Sequence, residues 1–175
     1  MKQKTIKNII DKQKDENVAL TSEKFQPLKY GELKKLVNKI ARQLSSQGIS
    51  NKDRAAIVLP NGPHMATSFL AISSFMSAAP LNPAYKTEEY EFYLNDLKPK
   101  IVLVEPNSSN KVLEAAKKLN IPVCEIKIKD NSPTGTFDLF KNESDYNLPE
   151  ENDEALVLHT SGTTSRPKIV PLTNK

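Results

Sequence analysis

The chain has 175 residues, enough for one domain with a substantial core and scarcely enough for two. Charged residues make up 26% and hydrophobic ones 38%, which fits a soluble globular class, and no apolar run approaches the length of a membrane span. The formal net charge of +4 comes from Lys and Arg scattered among Glu and Asp, so there is no basic stripe with interleaved aromatics to mark a nucleic-acid surface.

The N-terminus sets Ile6, Ile9 and Ile10 among polar residues, so no secretory signal is read there. Residues 5–14 suit a helix capped by Thr5, with those isoleucines on one face. Residues 18–20 and 26–28 read as a short hairpin around Ser22, Glu23 and Lys24. A helix follows over residues 30–47, where Leu33, Leu36, Val37, Ile40, Ala41 and Leu44 recur at three and four, and Gly48 stops it.

Residues 55–59 are apolar on both faces, as a central parallel strand is. Pro60, Asn61, Gly62 and Pro63 break that strand and open a second helix, with Met65, Phe69, Ile72 and Met76 inward. His64 lies in its first turn and reads as a surface or capping residue, since no second His, Cys or acidic cluster accompanies it. Extended structure resumes at 78–81, residues 82–85 turn, and a helix starting at Thr87 presents Tyr90, Tyr93, Leu94 and Leu97 before Pro99 ends it.

Residues 101–104 form another buried strand, 110–119 a short helix with Val112, Ala115, Ala116 and Leu119 inward, and 123–128 a further strand. Cys124 is the single cysteine; an internal disulfide is impossible, and its apolar strand marks it as a small buried hydrophobe rather than a nucleophile. A reducing cytoplasmic or organelle-matrix setting is the default expectation. The alternation of strand and helix from residue 55 onward predicts right-handed crossover units: an α/β fold with a mostly parallel sheet flanked by helices. Residues 129–153 break that rhythm with many acids, offer only Phe137, Leu139 and Phe140 for burial, and read as a variable connector.

The stretch at 154–172 carries the chemistry. An apolar strand at 155–158 and His159 lead into Thr160, Ser161, Gly162, Thr163, Thr164 and Ser165, then Arg166, Pro167 and Lys168, before the chain turns apolar again at 169–172. Short hydroxyls donate without bulk, Gly162 permits a positive φ and close backbone approach, and Lys168 adds charge, so this order suits a polyphosphate chain. A solvated turn between two strands is the alternative, because Ser, Thr and Gly are ordinary turn residues. It is not the Walker pattern, which needs a second glycine directly before the lysine and a following helix.

Residues 160–168 resemble the signature loop of the adenylate-forming enzymes, which include the acyl-CoA synthetases. Ser165 stands where many members have glycine, and His159 where tyrosine is frequent. Together with residues 80–85 and 93–98, residues 158–165 are most similar to the oxalyl-CoA synthetase branch. The resemblance implies the first lobe of a large N-terminal AMP-binding domain, with 154–172 as strand, phosphate loop and strand. It further implies that a small carboxylic acid is adenylated with ATP and Mg²⁺ and passed to CoA. Thr160, Ser161, Gly162, Thr163, Thr164 and Ser165 would then make up the loop on the β- and γ-phosphates, and Lys168 would add charge or anchor it. Relatives carry their adenine contacts, Mg²⁺-holding acid, acyl pocket and catalytic lysine beyond residue 175, so the remainder of the polypeptide is the implied partner and no catalytic residue is assigned here. Thr173, Asn174 and Lys175 read as the start of another helix. A stand-alone nucleotide-binding module and a plain interaction domain are the competing expectations.

Overall fold

The structure, a computed structural model, describes residues 5–160 and 167–175. Its main sheet has six strands: β3 (Arg54–Val58), β4 (Ser77–Pro80), β5 (Ile101–Val104), β6 (Val123–Glu125), β7 (Glu154–Thr160) and β8 (Lys168–Thr173). They lie in the order β6-β5-β3-β4-β7-β8, every neighbouring pair parallel except the antiparallel β7–β8 hairpin at the edge. A separate two-stranded sheet pairs β1 (Val18–Leu20) with β2 (Leu28–Lys29).

Helices cover both faces because the central strands are apolar on both. On one side α1 (Ile6–Asp11), α2 (Tyr30–Ser45) and α3 (Pro63–Ser73) pack on Ile57, Ala78 and Leu103. On the other, α4 (Thr87–Leu97) and α5 (Val112–Lys118) pack on Ala56, Val58 and Val102. Most of the predicted stripe residues are buried, among them Leu33, Ile40 and Leu44 on α2, Tyr90, Leu94 and Leu97 on α4, and Val112, Ala115 and Ala116 on α5, whereas Met65 and Phe69 on α3, Tyr93 on α4 and Leu119 just past α5 are only half-buried. Cys124 is buried as expected, and burial pushes its thiol up to about 11, far from a reactive thiolate at neutral pH.

Several boundaries differ from the expected ones, each for a local reason. Thr5 caps α1 by accepting from the Asn8 N–H at 3.2 Å, but the helix ends at Asp11 rather than 14. The chain turns there so that the Asp15 carbonyl accepts from the Gly31 N–H and its carboxylate meets Lys34 Nζ at 2.6 Å. Gln26 is not in the hairpin, because its carbonyl accepts from both the N–H and the hydroxyl of Thr134, at 2.8 and 2.7 Å. Helix α3 stops at Ser73, so Met76 is buried from the turn that follows. Thr173 is the last residue of β8, paired with Glu154. The Asn174 side chain donates to the Glu150 carbonyl at 3.3 Å and accepts from the Ile6 N–H at 3.2 Å.

The segment between β6 and β7 contains no named helix or strand, yet it is seated along α2 and α3. Phe137 and Leu139 are buried, and buried Gln43 of α2 accepts from the Leu139 N–H at 2.8 Å through Oε1. Tyr146 and Thr134 add anchors that hydrophobicity did not mark. Tyr146 meets Phe75 edge-on at 5.5 Å and donates to Asn38 Oδ1 at 2.7 Å, while Thr134 is fully buried. Arg54, at the start of β3, grips both carboxylate oxygens of Glu154 at 2.9 Å and donates to the Leu97 carbonyl at 3.2 Å, which ties the start of β7 to the sheet centre.

One face of the β7–β8 hairpin belongs to neither core. Leu156 pairs with Leu172 and Leu158 with Val170, and Leu158 and Leu172 are 43% and 44% exposed. Exposed apolar pairs side by side favour association. Leu158→Lys with Leu172→Lys is expected to reduce self-association of this chain while leaving its unfolding free energy in urea within about 0.5 kcal/mol of the parent. Sedimentation velocity at rising concentration checks this, and unchanged association would place the sticky surface elsewhere. Among the described residues no helix is long and apolar enough to cross a membrane.

Candidate functional site

The β7–β8 hairpin opens at the carboxyl edge of the parallel strands, where α/β sheets place their ligands. Its base is set by register. Thr160 is the last residue of β7 and Lys168 the first of β8; the two are paired, with the Thr160 hydroxyl 3.5 Å from the Lys168 carbonyl, and both are exposed. Ser161, Gly162, Thr163, Thr164 and Ser165, together with Arg166, lie outside the described residues. The structure therefore brings Thr160 and Lys168 together at one mouth and speaks to those two members of the predicted set. Their chemistry, a hydroxyl donor beside an ammonium group open to solvent, fits a phosphate oxygen.

Directly behind that mouth is an arrangement the sequence reading missed. The His159 side chain is 7% exposed, and its Nε2 lies 2.9 Å from Asp96 Oδ2 of α4. Its ring meets Tyr93 edge-on at 4.7 Å, and Tyr93 stacks on Tyr85 at 4.9 Å. Burial, reinforced by Tyr85, pushes the Tyr93 phenol up to about 12, so it stays protonated at neutral pH. The last turn of α4 thus holds the end of β7 one residue before the loop. His159 and Asp96 are separated by 63 positions, and no periodicity links them. The only signal was the departure from tyrosine at 159.

A second concavity sits where strand order reverses, between the ends of β3 and β5. It holds about 180 Å³ and is lined by His64, Asn61 and Glu105 among others. His64 is more enclosed than its surface reading implied: it is half-buried, Phe25 lies 5.8 Å away edge-on, and its Nε2 is buried without a hydrogen-bond partner. Burial lowers its pKa from 6.5, while a backbone hydrogen bond at Thr136 works in the opposite direction. A histidine depressed in the folded state binds fewer protons there than when unfolded. Its stabilisation is thus complete above about 6.5 and is lost as pH falls below that value. His64→Gln is expected to flatten the fall in urea midpoint between pH 7.5 and 5.5; an equal fall in both proteins would assign it to other groups.

Among the described residues no group of three His, Cys, Asp or Glu side chains comes together to hold a metal ion. No Mg²⁺ ligand is therefore assigned on them.

A mostly parallel sheet wrapped on both faces, with Thr160 and Lys168 paired in a hairpin at its carboxyl edge, is the architecture expected from the resemblance to the adenylate-forming enzymes. The chain belongs to the AMP-binding enzyme family, whose model matches residues 7–175. It is similar to the oxalate–CoA ligase of Arabidopsis thaliana, 37% identical over 96% of this chain and 34% of that protein. It is also similar to the oxalate–CoA ligase of Saccharomyces cerevisiae, 32% identical over 71% of this chain and 28% of that protein. The fold matches apo MatB from Rhodopseudomonas palustris with a TM-score of 0.77, at 24% identity, over 98% of this chain and 35% of that one. A Brucella canis acyl-CoA synthetase matches with a TM-score of 0.78 at 22% identity, over 99% and 34%. The chain thus spans about a third of the length of these relatives.

Proposed function

We propose that this chain is the N-terminal part of an ATP-dependent acid–CoA ligase that acts on a small dicarboxylic acid, oxalate first among them. The observation that carries this reading is the pairing of Thr160 with Lys168 at the carboxyl edge of the sheet, with a run of hydroxyl residues between them in the sequence. The substrate rests on the two similar proteins named as oxalate–CoA ligases.

In the proposed reaction a carboxylate oxygen of the acid bonds to the α-phosphorus of ATP, and the bond from that phosphorus to the bridging oxygen breaks. Pyrophosphate leaves with the electron pair. The thiol of CoA then attacks the acyl carbonyl and AMP departs. Thr160, Ser161, Gly162, Thr163, Thr164 and Ser165 would cradle the β- and γ-phosphates, and Lys168 would offset charge building on the leaving pyrophosphate. Mg²⁺ supplies further neutralisation of the phosphates when bound. His159, held by Asp96, positions the base of the loop, and pre-set geometry of this kind lowers the barrier without moving in the reaction. We place the reaction in the cytoplasm or, in a eukaryote, a peroxisome.

Carboxylate-dependent ATP–pyrophosphate exchange on the natural full-length product that contains this chain tests the reading, with oxalate, fatty acids and aryl acids compared. Exchange with oxalate above the others is the expected result. Exchange with none of them, from a folded protein, would overturn it in favour of a nucleotide-binding module without chemistry. The 175-residue chain alone is expected to give no exchange.

A further inference from the structure

One concavity shares no lining residue with the hairpin. It is a groove of about 360 Å³ between the outer face of α2 and residues 127–138, within the roughly 300–1,000 Å³ span of small-ligand sites. Four lysines border it, Lys35 and Lys39 from α2 and Lys127 and Lys129 from the facing segment, against the carboxylates of Glu32 and Asp138.

The two acids are already engaged. Glu32 accepts from the Lys29 N–H at 3.0 Å, closing the first turn of its own helix. Asp138 joins Lys39 and Lys129, the latter at 2.9 Å. Burial alone would raise the Asp138 carboxyl, but those two ammonium groups overcome it and hold it below the usual 3.8. Lys35 and Lys127 are exposed and have no ion-pair partner among the described residues. The groove therefore carries an uncompensated pair of positive charges.

Its wall is apolar. Leu36 and Phe137, each about nineteen-twentieths buried, line it with Pro133, and the lysine stems add methylene surface. The two ends of the facing segment are tied together: Lys127 and Asp138 exchange both backbone hydrogen bonds, at 2.7 and 2.9 Å. Like charges that border one apolar cleft gain from an anion between them. Solvation of a flat lysine face needs no such cleft.

We propose that this groove binds an amphipathic organic anion, its phosphate or carboxylate head between Lys35 and Lys127 and its short apolar body against Leu36, Phe137 and Pro133. The site is independent of the phosphate loop and of the ligase reading. Octyl phosphate, below its micelle-forming concentration, is the ligand to titrate calorimetrically into this chain. One saturable site per chain is expected, weakening as salt rises and weakening at least tenfold in Lys35→Glu with Lys127→Glu. The milder pair Lys35→Gln with Lys127→Gln is expected to weaken it in the same direction, and Lys168→Ala to leave it unchanged. Inorganic phosphate is expected to bind at least tenfold more weakly, because it lacks the apolar body. Absence of saturable binding, equal binding by the folded charge variants, equal binding of inorganic phosphate, or loss in Lys168→Ala would each overturn the proposal.

Discussion

Gly135→Ala is expected to destabilise the chain by about 2–5 kcal/mol, among the largest single-residue effects in the molecule. Two costs act together. The residue holds φ at +73°, in the left-handed region that side chains rarely adopt. An added Cβ would also meet the Pro63 carbonyl oxygen at 2.7 Å and Thr67 Cγ2 at 2.8 Å, both in the first turns of α3. Neither neighbour can withdraw cheaply. Thr67 is fully buried and donates to the Gly135 carbonyl at 2.6 Å, and the Pro63 oxygen is backbone. Gly48→Ala separates the two costs: its φ is +75°, but nothing lies within 4 Å of its Cβ position. It is expected to cost only about 1–2 kcal/mol. Urea midpoints of the two variants decide the matter; if they fall equally, the close approach of the 133–137 segment to α3 contributes nothing.

On the proposed ligase reading, Lys168→Ala lowers acid-dependent pyrophosphate exchange by about 10²-fold in the full-length protein, the usual scale for deleting one group that meets developing negative charge. The side chain is exposed at the base of β8 and makes no ion pair among the described residues, so the unfolding free energy in urea should stay within about 0.5 kcal/mol of the parent. Lys168→Arg keeps the charge and should recover part of the rate, with the remaining loss reflecting the broader guanidinium. Lys100→Ala, at another exposed lysine, is the control for net charge. Exchange unchanged in Lys168→Ala would remove this lysine from the phosphate site and leave it a hairpin-edge residue.

The elements themselves were legible because each announces itself over a few neighbours. The apolar run at 101–104 is β5 at the residues expected, and the three-and-four spacing in α2 and α4 selects the faces that become buried. Alternating such runs allows little besides a wrapped parallel sheet. The hydroxyl run and Lys168, on which the proposed phosphate loop rests, could be named from the sequence because they stand within a few consecutive residues.

What only tertiary structure decided depends on pairs far apart in the chain. The strand order β6-β5-β3-β4-β7-β8 brings Arg54 to Glu154 across 100 positions, and the same packing sets His159 against Asp96 and Tyr93. Burial period, caps and turn residues are local preferences and cannot specify which distant partner satisfies a buried polar group. The path from β6 to β7 shows the difference most plainly. Read alone, residues 129–153 are polar with little to bury, yet Gln43, Asn38 and Thr67 of α2 and α3 supply the hydrogen bonds that seat them. A segment without period of its own takes its course from the surface it meets, because its backbone groups must find partners there.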